Sequence, residues 1–355
     1  MTSADGPAPG SRAADRTPEP AAPARAGAAR PAGAGPRGEP GRRSVLGAGV
    51  GGLAAVLAGC SSESGPVRRL RMATGPKGGP YHAFGQALAE ALSASGQRLE
   101  VVPVGTAASV DNLRRLDQGS VELALAMADV AADAVHGEAD FSRPVPVRAL
   151  ARVYVNYTHL VVPARGPVRT VQDLAGRPVA AGAPGSGVQV LARRLLRMTG
   201  LTGDRSVRTR PLGLAESVRA LREGTVDALI WSGGVPTPAL SELARTLPLR
   251  FLPLDGFVRP LRERHGAVYS AVTLPAGAYG MRAPVGTIGV GNYLLARADV
   301  PERAARDLLR LVFDRRRDLL REVTAGARLE PRFAVSTGDV PLHPGAVAHY
   351  RAAYG

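Results

Sequence analysis

Residues 68–127 read RRLRMATGPKGGPYHAFGQALAEALSASGQRLEVVPVGTAASVDNLRRLDQGSVELALAM. Short apolar runs alternate there with stretches of helical spacing. Residues 68–74 form a strand. Ala83, Phe84, Ala87, Leu88, Ala91 and Leu92 then recur at intervals that predict a helix over residues 80–95. Gly79 and Pro80 suit its cap and first turn. Residues 99–104 give the next strand and residues 109–118 the next helix, with Leu113 and Leu116 inward and Gly119 past its end. Residues 121–127 give a third strand, completing a β-α-β-α-β unit.

Working outward, the same alternation continues and predicts an α/β fold. A second unit opens with the strand 158–163. It runs through a short helix at 171–174, a strand at 177–181, a tight loop at 182–187 and a helix at 188–199. Strands at 207–212 and 227–231 follow, with helices at 215–222 and 238–246, and the unit closes near Leu254. A strand at 287–296 and a long helix at 301–323 return to the first unit. Two α/β units with the chain crossing between them and back enclose a cleft walled by loops and helix N-termini, a setting that favours a small anion.

The chain has 355 residues, 45% of them apolar, with 43 Gly and 30 Pro, which excludes a disordered chain, a collagen and a disulfide scaffold. Residues 1–43 are rich in Ala, Gly and Pro, hold no aromatic residue and cannot bury a core, so they read as a disordered leader. Arg42-Arg43 precede an uncharged apolar stretch, residues 44–59, that ends in Leu57-Ala58-Gly59-Cys60. It is shorter than the roughly 20 apolar residues of a membrane-spanning helix. Its basic, apolar and small-residue segments stand in the order of an export signal. It resembles a bacterial lipoprotein signal, cleaved before Cys60. The resemblance implies that Cys60 carries the lipid, that residues 60–67 are a lipidated linker, and that the protein sits on the extracytoplasmic face of the cytoplasmic membrane. Export by the general or the twin-arginine route stays open.

Formal charge is +15, from 45 Lys+Arg against 30 Asp+Glu, and Lys77 is the only lysine. The arginines are dispersed along helical patterns without interleaved aromatics, which disfavours nucleic acid and fits solvated helix faces. The six histidines show no metal-ligand spacing, so no metal and no cofactor are expected. No motif pairs a nucleophile with a base, and the single cysteine lies at the anchor, so no catalytic residue is assigned and an enzyme is not expected.

Four Gly-rich loops lead into helices: ATGPKGGPYHAFG at 73–85, VGTAASVDNL at 104–113, AGAPGSGV at 181–188 and IWSGGVPTP at 230–238. The first is no P-loop, because no Gly-Lys-Ser/Thr follows its glycines. The third is no dinucleotide fingerprint, because Val190 stands where the last glycine belongs. In that loop Ser186 and the amides of Gly185 and Gly187 read as an anion nest. Ser109 can cap its helix and Asn112 can point an amide into the cleft, or do no more than cap.

Together with SVDNLRRLDQGSVELALAMADVA, DLAGRPVAAGAPGSG, ALREGTVDALIWSGGVP and the terminal VPLHPGAVAHY, the first loop makes residues 70–355 resemble the TAXI group of extracytoplasmic solute-binding proteins, which serve TRAP-type transporters. The resemblance implies a periplasmic-binding-protein-like fold. Residues 68–157 and 278–355 would form one lobe and residues 158–277 the other, hinged by crossover strands and closing on a small organic acid such as glutamate or 2-oxoglutarate. It implies a monomer that delivers the acid to transporter subunits; an extracellular sensor that binds the same acid and reports to a membrane receptor carries the same sequence expectation. The implied ligand wall is Thr74, Gly75, Gly79, Tyr81, Ser109, Asn112 and Asp129 in the first lobe, and Gly182, Ser186, Gly187 and Gly233 in the second. Departures matter here. Pro80 and Val188 replace usual threonines, Met127 a frequent Gln, and Ala107-Ala108 a Gly-Gly step, which predicts a drier pocket. Lys77 reads either as a cationic contact or as a solvated loop residue, Asp129 as a ligand contact or a cap, and Trp231 as a cleft wall or core.

Overall fold

The structure, a computed structural model, describes residues 67–321, 323 and 329–354. The leader, the apolar stretch and Cys60 lie outside those residues.

The first half is built from β1 (Arg68–Ala73), α1 (Pro80–Ala94), β2 (Leu99–Val104), α2 (Ser109–Asp117), β3 (Leu123–Met127) and α3 (Ala128–His136). β1 lies between β2 and β3, parallel to both. Alternation along β3 sorts the side chains by face. Leu123 and Leu125 join Leu70 and Met72 against Phe84, Leu88 and Leu92 of α1. Ala124 and Ala126 face the opposite way, toward Leu113 and Leu116 of α2. Full burial of each such Leu or Phe contributes about 1.5 to 3 kcal/mol.

The chain then crosses on β4 (Val147–Pro163), a 17-residue strand. The second half holds β5 (Pro178–Ala180), α4 (Gly187–Met198), β6 (Arg208–Arg210), α5 (Leu214–Arg222), β7 (Ala228–Gly233), α6 (Pro238–Thr246), β8 (Leu249–Phe251), α7 (Val258–His265) and β9 (Tyr269–Leu274). It returns on β10 (Val285–Arg297) to α8 (Glu302–Asp314), α9 (Arg316–Arg321), α10 (Pro331–Ala334) and α11 (Pro344–Tyr354). The strand path is β2-β1-β3-β10-β4-β7-β5-β6, with β8 on β4 and β9 on β10. β10 and β4 are antiparallel to each other and stand between the two parallel groups, so this is an α/β fold of two layered halves carried on two long shared strands.

Several elements differ from the sequence expectation. β4 begins at Val147, well before residue 158, because Arg148, Arg152 and Asn156 interrupt its apolar pattern. The expected helix 301–323 is two helices: Arg315 leaves helical dihedrals (φ −103°, ψ 13°), and the Arg316 guanidinium takes the Phe313 carbonyl at 2.6 Å. The helix α3 follows β3 with no turn residue between, since Met127 ends the strand and is itself the helix N-cap (φ −64°, ψ 143°). α7 and β9 were not expected. The halves also share a core: Leu113, Met127 and Val130 of the first pack in one cluster with Val190, Leu191 and Leu195 of α4.

Candidate ligand-binding site

A cavity of about 550 Å³ lies between the halves. The loops that precede α1, α2, α4 and α5 all reach it, so four helix N-termini point toward one space. Their amides are not equally available. At α2 the Val110 and Asp111 amides donate to the Gly185 carbonyl of the other half, at 3.1 and 3.2 Å. At α5 the N-cap Gly213 amide donates to Glu216 Oε2 at 3.1 Å, which leaves the first-turn amides of Leu214, Ala215 and Glu216 without intrahelical acceptors. At α1 Gly79 is the N-cap with no side-chain cap and Pro80 opens the helix, so helix geometry leaves the Tyr81 and His82 amides without intrahelical acceptors. At α4 Ser186 Oγ accepts from Gln189 N, which leaves the amides of Gly187 and Val188. Such ends come from both halves, α1 from the first and α4 and α5 from the second, and the positive pole of each macrodipole adds to them.

Of the residues expected in the ligand wall, Gly75, Gly79, Tyr81, Ser109, Gly182, Ser186 and Gly187 line the cavity. Thr74, Asn112, Asp129 and Gly233 do not. Thr74 is fully buried and donates to Val104 O at 2.9 Å. The Asn112 amide braces the layer beneath the cavity, donating to Thr74 O at 2.5 Å and Leu125 O at 2.6 Å and accepting from Thr106. Gly233 makes room for the neighbouring ring: a Cβ there would stand 2.5 Å from Trp231 Nε1. That indole donates to Thr237 Oγ1 at 3.1 Å, and Trp231 itself lines the cavity. The expected nest at Ser186 is largely occupied by its own chain. The hydroxyl donates to Ala183 O at 2.7 Å, and the Gly185 amide donates to Gln189 Oε1 at 3.2 Å. Only the Gly187 amide of that set is left.

Asp129 lies in a buried ionic cluster between the halves. Arg194 of α4 holds Asp133 through Nη2 at 2.5 and 2.7 Å and reaches Asp129 Oδ2 at 3.4 Å, while the Tyr269 hydroxyl donates to Asp129 Oδ2 at 2.8 Å. Burial pushes both carboxyls up, Asp133 to about 6, with Arg194 opposing the shift. Asp129 Oδ1 also caps the Val130 amide at 2.9 Å.

Every departure noted in the sequence stands on the cavity: Pro80, Ala107, Ala108, Met127 and Val188 all line it. With Leu212, Leu214 and Ile230 they make most of its wall apolar. Lys77 is exposed at the same loop. Close approach explains Gly187, where an added Cβ would stand 2.7 Å from both Met127 Sδ and Ser109 Oγ.

Sequence reasoning missed Asn156 of β4 and Ser232 of β7. Both are 3% exposed and line the cavity, and neither Asn156 Oδ1 nor Ser232 Oγ has a hydrogen-bond partner. No loop motif marks Asn156, whose only signal was a polar residue inside an otherwise apolar strand; Ser232 lies in the quoted loop at 230–238 but was not singled out there.

Residues 72–353 match the NMT1-like family. The chain belongs to this family. Among solved structures, this NMT1-like chain is similar to a protein from Bordetella bronchiseptica RB50, at 18% identity over 81% of this chain and 89% of that one, with a TM-score of 0.49. The periplasmic aliphatic sulphonate binding protein SsuA from Escherichia coli is similar at 18% identity over 80% and 83%, TM-score 0.43. A TctC solute binding protein from Polaromonas is similar at 19% identity over 81% and 97%, TM-score 0.44. Among the described residues of this NMT1-like chain, no helix is long and apolar enough to cross a membrane.

Proposed function

We propose that this chain is a lipid-anchored extracytoplasmic solute-binding protein of the TAXI type, which captures a small organic anion between its halves and hands it to the membrane subunits of a TRAP-type transporter. The observation that carries the reading is the set of free helix ends, α1 from one half and α4 and α5 from the other, facing one cavity. A carboxylate bridging the two sides gains from both only when the halves are together, so ligand favours the closed state by its differential affinity. The two shared strands β4 and β10 are the only described crossings between the halves, which suits a hinge. The motifs of residues 70–355 support the transporter partner, and Leu57-Ala58-Gly59-Cys60 supports the anchor.

A thermal-shift screen of the purified protein against amino acids, oxo acids, dicarboxylates and branched acids tests this. Ligand at 100 times its Kd stabilises by about 2.7 kcal/mol, worth several degrees. A selective shift is expected with at least one anion; a flat response across the panel from folded protein defeats the reading.

A further inference from the structure

We propose that the ligand of this cavity carries a hydrogen-bond donor, a hydroxyl or amino group beside its carboxylate, and that Asn156 and Ser232 select for it. The proposal rests on the binding function proposed above. It follows from a chain of hydrogen bonds whose polarity is fixed at both ends by groups that can only accept.

The Tyr154 carbonyl accepts from Asn292 Nδ2 at 3.3 Å, which turns Asn292 Oδ1 toward Tyr81 and Asn156. The Tyr81 hydroxyl donates to that oxygen at 2.5 Å, and Asn156 Nδ2 approaches it at 3.3 Å. Asn156 Nδ2 also faces the Ser232 carbonyl, at 3.4 Å. Turning the Asn156 amide over would set its oxygen against two acceptors. Its nitrogen therefore faces inward, and Oδ1 is the atom left over, buried, unpartnered and on a residue of the cavity wall. Asn292 turns its oxygen, not its nitrogen, toward Asn156 and so offers no proton to Oδ1. The Ser232 hydroxyl, one strand away on β7, is equally unpartnered.

A buried acceptor is left unsatisfied only at a cost, and a ligand that supplies a donor removes it. An ionised carboxylate, a ketone or a bare methylene brings no proton, and the first two place lone pairs against Oδ1. The carboxylate thus belongs at the helix ends, the apolar body against Met127, Ile230 and Trp231, and the donor at Asn156, whose Oδ1 is closed to solvent here and meets the ligand by a turn of the side chain toward the cavity. A site built to bond an OH or NH rejects analogues lacking it far more sharply than an apolar pocket rejects a missing methylene. Acids differing only at one substituent are therefore distinguished at Asn156.

The test measures Kd by calorimetry for the unsubstituted, 2-oxo, 2-hydroxy and 2-amino forms of butanoate, 4-methylpentanoate and octanoate, with the purified protein and with Asn156→Leu and Ser232→Ala. In at least one series the hydroxy or amino acid is expected to bind tenfold or more tightly than its oxo and unsubstituted partners. Asn156→Leu, which keeps the size and removes the acceptor, is expected to bring the members of that series within about threefold, and Ser232→Ala to narrow the preference. If Asn156→Leu fails to fold, Ser232→Ala carries the comparison. Oxo or unsubstituted acids binding as well as the hydroxy acid overturn the donor requirement while leaving the binding function standing. So does a preference that survives unchanged in every folded variant. Pentanedioate and its 2-oxo, 2-hydroxy and 2-amino forms complete the panel, and no binding by any member, with a flat screen above, overturns both.

Discussion

At the scale of single residues, Ala108 stands out. It is the N-cap of α2 with φ 81° and ψ −147°, a conformation close to glycine's own. Such a residue stores on the order of 1 to 3 kcal/mol. A glycine there would remove the strain and lose about 0.5 to 1 kcal/mol to backbone entropy. Ala108→Gly is therefore expected to raise stability by about 1 kcal/mol in denaturant unfolding, and an unchanged or lowered midpoint would contradict it. The departure from Gly-Gly at 107–108 was visible in the sequence; the backbone angle that gives it meaning was not. Ser186 and Asn112 illustrate the converse. Both were legible as polar groups at helix starts, but whether an oxygen faces ligand or its own backbone depends on rotamers, and here Ser186 caps α4 while Asn112 ties β1 to β3.

At the scale of elements, α3 and α4 are joined by the Arg194 cluster. Asp133 and Arg194 are 61 residues apart, and Asp129 and Tyr269 are 140 apart, which is why no local pattern announced them. Removing one partner of a buried ion pair leaves an uncompensated charge and costs about 3 to 5 kcal/mol. Arg194→Leu strands two carboxylates and is expected to lose that much at neutral pH. Without the guanidinium both folded-state carboxyl pKa values lie further above their unfolded values, so the folded variant binds more protons than its unfolded chain, and stability must rise as pH falls. Recovery between about pH 7 and 4 in urea titrations is the expected result; a deficit that persists at pH 4 would assign the loss to packing. Most of the helices themselves were legible from their apolar spacing. α3 was not, because the turn signals that separate strand from helix are missing at Met127.

At the scale of the molecule, the α/β alternation follows from the sequence, apart from α3, α7 and β9. The shared core does not, since it depends on which surfaces meet. With α3 and α4 packed across the boundary, any opening between the halves is expected on the side where Gly185 caps α2. Hydrogen exchange follows such local openings. At saturating ligand the Val110 and Asp111 amides are expected to exchange more slowly than in the free protein, while interior amides of α3 and α4 keep the same protection. Equal rates at Val110 and Asp111 in both states would place opening elsewhere.

The Gly185 carbonyl finishes a helix that belongs to the opposite half. Specificity in this chain is therefore not carried by interchangeable modules. A chimera joined at β4 and β10 that imported a foreign second half would keep the two α2 amides paired only if its 182–187 loop held the same path, and would set two α3 carboxylates against a stranger. Recombination among relatives can succeed only when the 182–187 loop, α3 and α4 travel as one inherited unit.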